Sequence, residues 1–515
     1  MAKEKILWAD DEIDLLKPHV LFLKGKGFEV ETVTNGRDAL DVLASERFDL
    51  VILDENMPGI SGLEALQRIK IMQPNVPVIM ITKSEEENIM NQAIGSEIAD
   101  YLIKPVNPMQ ILLSIKKNLH VDELVAVKVT DDYRQQFMSI SQMINSAATI
   151  EEWYEVYNTL VRWELTLSNT DTNLDDLLRM QKIEANNAFA KFVCRNYEKW
   201  LTSDNHPMRS NEVFKSRILP LLDKGKKVCL VVIDNFRLDQ WKAISPLIAD
   251  QFDVESEELY TTILPTATQY ARNAIFSGLM PIDIAKMFPD LWVDEDEEDG
   301  KNVNEAPLVQ TLLDRYRRKV HFSYSKVNDS AAGDKLVQNF STFKNFDLNV
   351  LVMNFVDMLS HARTEAKMIR ELAKTDEAYR SITESWFKNS YAIEIFKLMA
   401  AAGFTVVLTT DHGTIKVDNA IKVVGDRNTN TNLRYKVGKS LSYNAKQVFE
   451  IKQPQRFGLP APNVSSTYVF AMNRDFFAYP NNYNYYVQFY KDTFQHGGIS
   501  MEEMLVPLVV LNPKQ

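Results

Sequence analysis

Short apolar segments that end in aspartate or histidine recur along this chain, and each is followed by a segment of helical periodicity. The clearest example is GFTVVLTTDHG, in which an apolar strand pattern leads directly into Asp411 and His412. Repeated strand–helix alternation predicts an α/β fold built on an open parallel sheet. Side chains that follow the carboxyl ends of such strands gather at one edge of the sheet, where these folds place their sites. The pattern therefore limits both the fold class and the position of the functional residues.

The first 119 residues contain five of these strand–helix units. Acidic side chains follow two of the predicted strands: Asp10 and Asp11 follow the first, and Asp54 follows the third. Carboxylates that meet in one place repel each other unless a cation lies between them. We therefore expect a cation site at this edge of the first sheet.

Residues 120–205 contain three amphipathic segments that predict a three-helix bundle. The apolar stripes of the first two segments include Tyr133, Ile140, Trp153 and Trp163. No helix-turn-helix with a basic recognition surface is present, so the segment does not predict a DNA-binding output. We interpret the bundle as a spacer that connects an input region to an output region.

Strand–helix alternation returns in residues 206–515 and carries a second set of ligand-type side chains. The set combines oxygen and nitrogen donors, which suit Zn²⁺ or Mn²⁺ better than Mg²⁺. Six donors exceed the needs of one catalytic zinc and predict two metal ions that act on a phosphoryl group. The six side chains are Asp234, Asp357, His361, Asp411, His412 and His496.

The segment PTATQYARNAIFSGLMP offers a nucleophile for such a site. It places Thr266 and Thr268 at the start of a predicted helix, and helix N-termini favour anions. A metal ion can activate a hydroxyl group held there. The residues alone leave the choice between the two threonines open.

Composition excludes several classes of protein. A length of 515 residues predicts about three domains, and the net charge of −12 argues against general affinity for nucleic acids or anionic membranes. No apolar run is long enough to span a membrane, and the N-terminus lacks the apolar region of a signal peptide. The two cysteines, Cys194 and Cys229, lie in apolar segments and do not predict a disulfide framework. We expect a cytoplasmic protein without membrane insertion.

The stretch between residues 413 and 458 departs from this acidic composition. It contains nine lysines and arginines against three acidic residues, which leaves a net charge of +6. One interpretation is a solvated insertion. The sharper hypothesis is a basic lid over the metal site, in which Arg434, Lys436 and Lys439 attract a polyanion and tyrosines stack on bases.

Four motifs in the first 119 residues resemble the receiver domain of two-component response regulators: ADDE, LDENMPGISGLE, ITKS and DYLIKP. The resemblance implies a flavodoxin-like fold with Asp54 as the phosphoacceptor and a sensor histidine kinase as the phosphodonor. It also implies dimerisation on phosphorylation. The implied Mg²⁺ ligands are Asp10, Asp11, Asp54 and the backbone carbonyl of Asn56. The implied switch residues are Thr82, Tyr101 and Lys104.

Residues 206–515 resemble the alkaline phosphatase superfamily, and within it the PglZ domain, through the elements DMLSH, DHG and HGG. The threonine segment is similar to the nucleophile loop of nucleotide pyrophosphatase/phosphodiesterases. Aligned on that loop, Thr268 is the implied nucleophile and Thr266 the alternative. The resemblance implies one zinc held by Asp357, His361 and His496. It implies a second zinc held by Asp234, Asp411, His412 and Thr268.

The order of receiver domain, helical bundle and PglZ domain resembles the PorX-like response regulators, which implies a role in type IX secretion. The preferred interpretation is a phosphorylation-controlled, zinc-dependent phosphodiesterase that acts on nucleotides or oligonucleotides. One alternative is an adaptor whose PglZ domain binds a transcription or secretion factor, with or without catalysis. A phosphomonoesterase is a third possibility, but neither an arginine nor a third metal site that could balance the additional phosphate charge is identifiable in the sequence.

Overall fold

The computed structural model describes residues 3–83, 98–168, 174–294, 302–365, 367–425, 429–461, 463 and 465–514. The described residues form two compact units. The first contains the residues up to Asp132, and the second contains the residues from Tyr133 onward.

The first unit contains a five-stranded parallel sheet, as predicted for a flavodoxin-like fold. The strands lie in the order β2-β1-β3-β4-β5. The central strands β1, β3 and β4 are almost entirely apolar and buried, because helices cover both faces of a parallel sheet. The strand bounds are β1 Lys5–Ala9, β2 Glu29–Val33, β3 Leu50–Asp54, β4 Val78–Thr82 and β5 Asp100–Ile103.

Three helices of this unit begin at side-chain caps that the sequence supplies. Asn35 accepts a hydrogen bond from the backbone N–H of Asp38, and Ser61 accepts one from the N–H of Glu64. Asn107 forms a capping box at the start of a later helix. The α-helices among the described residues of this unit are Lys17–Gly25, Gly36–Ser45, Gly62–Met72, Pro108–Leu119 and the first part of Val121–Ser146, and a 3-10 helix spans Ile13–Leu16.

The second unit begins with the three helices that the apolar stripes predict: the remainder of Val121–Ser146, then Ile150–Ser168 and Asp175–Thr202. Tyr133 is buried, and its hydroxyl donates a 2.8 Å hydrogen bond to Oε1 of Gln181. From Tyr133 onward, the described helical residues belong to the same compact unit as the α/β region that follows. A separate bundle that ends at residue 205 therefore stays a prediction.

The α/β region is built on a mixed six-stranded sheet in the order β7-β18-β10-β6-β9-β8. Strands β10, β6, β9 and β8 are parallel, as the sequence predicts. Strand β18 runs antiparallel to both of its neighbours, β10 and β7. The bounds are β6 Val228–Ile233, β7 Phe252–Thr261, β8 Phe322–Val327, β9 Leu348–Met353, β10 Thr405–Thr409 and β18 Leu505–Pro513.

Short strands from the segment between β10 and β18 form three small sheets. They pair as β11 with β17, β12 with β16, and β13-β15-β14. The bounds are β11 Ile415–Lys416, β12 Asn419–Lys422, β13 Tyr435–Gly438, β14 Val448–Ile451, β15 Thr467–Ala471, β16 Asp475–Ala478 and β17 Phe494–Gln495.

None of the described helices is both long enough and apolar enough to span a membrane. The α-helices of the α/β region are Leu219–Asp223, Leu238–Ile244, Thr268–Ser277, Pro281–Met287, Glu305–Arg315, Ser330–Gln338, Phe355–Glu365, Lys367–Leu372, Asp376–Asn389, Tyr391–Ala401, Tyr483–Tyr490 and Met501–Met504. A π-helix spans Phe214–Ile218. The 3-10 helices are Ser210–Glu212, Ser245–Ile248, Pro289–Leu291, Phe340–Asn345 and Pro454–Phe457.

The register of the large sheet brings distant segments to one edge. The carboxyl ends of β6, β9 and β10 coincide, because Ile233 pairs with Met353 and Val232 pairs with Thr409. The antiparallel β18 begins at this same edge, where Leu505 pairs with Thr261 at the end of β7. The residues that follow β6, β7, β9 and β10 therefore meet the residues that precede β18.

Candidate functional site

The first cluster at this edge consists of Asp234, Asp411 and His412. Asp234 directly follows β6, and the other two residues follow β10 after one intervening residue. All three side chains are buried, and one ligand atom from each lies within 4.8 Å of the others. His412 Nε2 is 3.8 Å from Asp234 Oδ1 and 3.8 Å from Asp411 Oδ2.

The second cluster consists of Asp357, His361 and His496, and it lies beside the first. Asp357 and His361 are four residues apart on helix Phe355–Glu365, so they share one helix face. Asp357 Oδ2 is 3.4 Å from His361 Nε2, and Asp357 Oδ1 is 3.8 Å from His496 Nε2. The rings of His412 and His496 stack with their centroids 4.1 Å apart. All six predicted donors are thus brought together in two adjacent groups of three.

Two of the histidines have a fixed orientation. His412 Nδ1 lies 3.1 Å from the carbonyl oxygen of Gly413, and His496 Nδ1 lies 3.1 Å from that of Thr266. Since a carbonyl can only accept, each Nδ1 carries the proton and each Nε2 presents its lone pair to the clusters. Neutral histidine binds metal ions in this form, with its other nitrogen held by a carbonyl.

The first cluster also contains carboxylate oxygens that have no donor. Asp234 Oδ1 and Asp411 Oδ2 are buried and have no hydrogen-bond partner. Buried polar atoms are nearly always paired, and an ionised carboxylate can only accept. Two such oxygens beside a histidine lone pair fit the donor set of a divalent cation.

Burial and mutual repulsion shift the pKa values of these groups. Burial, reinforced by the charge of Asp234, raises the pKa of Asp411 to about 8. The same two causes raise the pKa of Asp357 to about 6. Burial lowers the pKa of His412 and of His496 to about 4. His412 and His496 are therefore neutral imidazoles beside carboxylates that need a positive charge nearby.

Arg272 supplies one such charge, and sequence reasoning missed it. The buried guanidinium donates from Nη1 to Asp234 Oδ2 at 2.7 Å and from Nε to Glu305 Oε1 at 2.6 Å. Burial alone would raise the pKa of Asp234, but Arg272 holds it below its usual value. The available signal was a charged residue four positions after Thr268 in an otherwise uncharged helix.

Asn235 is a second residue that the sequence did not reveal. Its backbone has a positive φ of 63°, a conformation that asparagine tolerates better than most residues. Its Nδ2 donates to Asp357 Oδ1 at 3.3 Å, and its backbone N–H lies 3.5 Å from Asp411 Oδ1. Asn235 therefore contacts both clusters, and the only sequence signal was its position next to Asp234.

The two candidate nucleophiles differ in their surroundings. Thr268 is the first residue of helix Thr268–Ser277, and its Oγ1 lies 3.1 Å from His412 Nε2. The first N–H groups of a helix have no partner within it and favour an anion at this position. Thr266 is fully buried, donates to the carbonyl of Gly498 at 2.9 Å and accepts from the N–H of Gly497 at 3.0 Å. Only Thr268 presents its hydroxyl to the donor clusters.

The basic lid hypothesis is wrong for two of its three residues. Arg434 is fully buried and pairs with Glu503 at 2.6 Å. Lys436 is 1% exposed and donates to the carbonyl of Asn430 at 2.8 Å. Lys439 is exposed. A count of charges cannot distinguish side chains on a surface from side chains paired inside a small β layer, which is where this segment places them.

The tyrosines of the same segment are also engaged by the protein. Tyr435 is buried, and the hydroxyl of Tyr443 donates to Glu450 Oε2 at 2.7 Å. The ring of Tyr435 therefore does not form an open stacking surface for bases.

The first unit has its own acidic cluster of Asp10, Asp11 and Asp54, with one ligand atom of each within 4.8 Å of the others. Lys104 Nζ lies 2.8 Å from Asp10 Oδ2 and 3.2 Å from Asp54 Oδ1. Burial raises the pKa of Asp54 to about 6, although Lys104 opposes the shift. The Lys104–Pro105 peptide bond is cis.

The remaining receiver candidates lie around this cluster. Thr82 is buried at the end of β4, Tyr101 is half-buried in β5, and Asn56 is exposed two residues after Asp54. Gly62 lets its helix approach the end of β3, since a Cβ there would lie 2.3 Å from the carbonyl oxygen of Asp54.

Three families match successive parts of the chain. Residues 6–116 match the response regulator receiver domain, and residues 123–201 match the PorX response regulator linker domain. Residues 213–511 match the BREX system PglZ alkaline phosphatase-like domain.

Curated relatives match smaller parts of the chain. The regulatory protein VanRc of Enterococcus gallinarum is 26% identical over 211 residues, which are 38% of this chain and 89% of that protein. The transcriptional regulatory protein CpxR homolog of Haemophilus influenzae is 39% identical over 114 residues, which are 22% of this chain and 48% of that protein. This chain therefore spans only about half the length of the latter relative.

Solved receiver structures match a similar share of the chain. A CheY-like receiver domain protein from Methanospirillum hungatei is 28% identical, with a TM-score of 0.23, and the match covers 23% of this chain and 94% of that one. The chemotaxis protein CheY4 of Vibrio cholerae is 30% identical, with a TM-score of 0.22, over 23% of this chain and 100% of that one.

Asp411→Asn is expected to have opposite effects on the metal-free protein and on its response to zinc. The folded-state pKa of Asp411 is raised, so the metal-free protein loses stability as the pH rises from about 4 to about 8. The substitution removes this loss and should increase the free energy of unfolding at about pH 8 by about 1 kcal/mol or more. It should also reduce the stabilisation by added zinc, because one of the predicted ligands is lost.

Chemical denaturation with and without zinc measures both effects. Asp253→Asn, at a side chain that is 73% exposed, is the matched control and should change neither quantity. Equal zinc stabilisation in wild type and Asp411→Asn would contradict the assignment.

Proposed function

This chain belongs to the PglZ family of alkaline phosphatase-like domains, and we propose that its PglZ domain is a zinc-dependent phosphodiesterase controlled by the receiver domain. The observation that carries this proposal is the meeting of two three-residue donor clusters and one threonine hydroxyl at a single sheet edge. Asp234, Asp411, His412 and Thr268 would hold one zinc, and Asp357, His361 and His496 would hold the other. Zinc bound there supplies positive charge that lowers the pKa of the hydroxyl and offsets charge on the phosphoryl oxygens.

Thr268 is the proposed nucleophile. Its hydroxyl loses its proton and the oxygen forms a new bond to phosphorus, while the bond from phosphorus to the leaving alkoxide breaks and the alkoxide takes up a proton. The remaining part of the substrate is then esterified to Thr268. Water then attacks the same phosphorus, the bond from phosphorus to the threonine oxygen breaks, and the proton released by the attacking water restores the threonine hydroxyl. The N-terminal N–H groups of helix Thr268–Ser277 bind the phosphoryl oxygens during both steps. The choice of Thr268 over Thr266 is supported by the two hydrogen bonds that engage the Thr266 hydroxyl elsewhere.

A diester substrate is favoured over a monoester. A monoester carries an additional charge, which an arginine or a third metal close to the phosphoryl group would balance. Arg272 is the guanidinium beside the clusters, but it is 1% exposed and is engaged by Asp234 and Glu305. Its position stabilises a ligand carboxylate and does not offer a contact to substrate.

The proposed substrates are nucleotide or oligonucleotide phosphodiesters. This proposal depends on the likeness of the segment PTATQYARNAIFSGLMP to the nucleophile loop of nucleotide pyrophosphatase/phosphodiesterases. The basic segment no longer supports it, since Arg434 and Lys436 are buried. Of the three proposed substrate-binding residues, Lys439 alone keeps that role.

Control is proposed to begin at Asp54, phosphorylated by a sensor histidine kinase with Mg²⁺ bound near Asp10 and Asp11. The acidic cluster beside Lys104 supports this site. Thr82 and Tyr101 would respond to the phosphoryl group as the switch. The match of residues 123–201 to the PorX response regulator linker supports a cytoplasmic regulator of type IX secretion.

Thr268→Val should abolish turnover of bis-p-nitrophenyl phosphate in the presence of zinc, by about 10³-fold or more, because the nucleophile is lost. Thr266→Val is the matched control, two residues away on the same segment. It should lower stability through two lost hydrogen bonds and leave kcat within about threefold of wild type.

Zinc content should remain near that of wild type in Thr266→Val, so that the comparison isolates the hydroxyl group. Wild-type protein that binds zinc but shows no turnover would favour an adaptor that binds a transcription or secretion factor. A Thr268→Val protein with full activity would exclude Thr268 as the nucleophile.

Beryllofluoride, which mimics the phosphoryl group on Asp54, should convert the chain to a homodimer. Light scattering should report a rise in mass from 59.1 kDa to twice that value. Asp54→Asn removes the acceptor and should keep the protein monomeric under the same conditions. An unchanged wild-type mass would refute dimerisation on activation.

A further inference from the structure

A chain of buried ion pairs connects the loop after β6 to the helices that precede the α/β region. Arg237 lies three residues after Asp234, is 2% exposed, and donates to Asp239 at 2.8 Å and to Asp376 at 2.6 Å. Asp239 Oδ2 is 3.3 Å from Arg380 Nη1. The same Nη1 lies 3.1 Å from Glu164 Oε1, on helix Ile150–Ser168. The loop that carries a ligand of the first cluster is thus linked to that helix through three charged side chains.

A second chain connects helix Asp175–Thr202 to the segment that carries His496. Asn186 donates from Nδ2 to Glu502 Oε2 at 2.9 Å and accepts from the backbone N–H of Met501 at 2.8 Å. Glu503, the residue after Glu502, accepts a 2.9 Å hydrogen bond from the N–H of Gly498 through its side chain. Its carbonyl accepts from the N–H of Gly413 at 3.2 Å. Gly498 lies two residues after His496, and Gly413 directly follows His412. This second series of contacts therefore reaches both clusters.

The two chains meet at the pair formed by Glu164 and Lys182. Lys182 Nζ lies 2.8 Å from Glu164 Oε2 and 3.6 Å from Glu502 Oε1. The side chains of Glu164 and Lys182 are only 13% and 17% exposed. Buried charges are stable only while their partners stay in place, so displacement of either helix would break the pair or transmit the movement. A cavity of about 310 Å³ borders these residues and leaves room for such a displacement.

We propose that Glu164 and Lys182 are positioning residues through which the linker helices set the geometry of both metal-binding clusters. Neither residue belongs to the donor clusters, and both act through the loops after β6 and before β18. The inference depends on the proposed metal sites and adds a mechanism for regulating them. A shift of helix Ile150–Ser168 relative to helix Asp175–Thr202 would loosen Asp234 through Arg237 and loosen His496 through Glu503.

The experiment measures zinc affinity by chelator competition in the full chain, for Glu164→Gln, Lys182→Met and the double variant. Each single variant should weaken zinc binding by about tenfold or more, the range seen when residues that orient metal ligands are changed. The double variant should bind zinc at least as tightly as the single variant with the lower affinity, because both substitutions break the same ion pair. Lys182→Arg keeps the positive charge and should therefore retain most of the zinc affinity that Lys182→Met loses.

Two controls separate this effect from other causes. Arg318→Met breaks an ion pair with Asp223 that has a 2.6 Å separation but 41% and 47% exposed side chains, and it should leave zinc affinity unchanged. Phe343→Leu perturbs the core away from the pair and controls for a general loss of stability. Unchanged zinc affinity in folded Glu164→Gln and Lys182→Met, or an equal loss in Phe343→Leu, would overturn the proposal.

Hydrogen exchange in the metal-free protein supplies a readout that does not depend on catalysis. The N–H groups of Gly413 and Gly498 should exchange faster in Glu164→Gln and Lys182→Met than in wild type, and at wild-type rates in Arg318→Met. Unchanged exchange in the first two variants would also overturn the proposal. If wild-type protein binds zinc but does not hydrolyse diesters, the proposed phosphodiesterase activity is refuted, while the positioning role of Glu164 and Lys182 still stands on zinc affinity and hydrogen exchange.

Discussion

The repulsion among three carboxylates at one sheet edge is the constraint on which the rest of the α/β region depends. Asp234, Asp357 and Asp411 are brought together because β6, β9 and β10 are parallel and end in register. Burial and the charge of Asp234 act against the ionisation of Asp357 and Asp411. Arg272 offsets part of this charge through its hydrogen bond to Asp234. The Nδ1 atoms of His412 and His496 are held by carbonyl oxygens, so their Nε2 lone pairs face the carboxylates. A divalent cation can accept electron pairs from both the carboxylates and the imidazoles, and its charge offsets the repulsion among the carboxylates.

The sequence predicted the site better than its surroundings, for a physical reason. Donors that directly follow the ends of parallel strands must converge, so Asp234, Asp411 and His412 could be found from the strand pattern. The other three donors lie on a helix or before the antiparallel β18, and they were found from their residue types and their order along the chain. Arg272 and Asn235 could not be found in this way, because their roles depend on which side chains lie opposite them in the folded chain. Arg434 and Lys436 were predicted to lie on a surface because they belong to a positively charged segment. The sequence did not reveal the buried partners that pair with them inside the protein. The antiparallel β18 was likewise visible as a strand but not in its direction.

The linker helices acquire a role that their amphipathic pattern did not suggest. Their apolar stripes predict packing, and residues such as Tyr133 are indeed buried. The polar residues of these helices instead contact the α/β region: Glu164 pairs with Arg380, and Lys182 and Asn186 contact Glu502. A spacer would need only the apolar contacts. Buried ion pairs are costly to form, and their presence here is consistent with a requirement for a defined position.

Anomalous diffraction at the zinc absorption edge, from crystals grown with zinc, tests the central claim most directly. The account predicts two peaks about 4 Å apart, one bounded by Asp234, Asp411 and His412 and the other by Asp357, His361 and His496. Thr268 Oγ1 should lie within bonding distance of the first peak. The absence of anomalous density between these side chains, or zinc bound only elsewhere on the chain, would contradict the account.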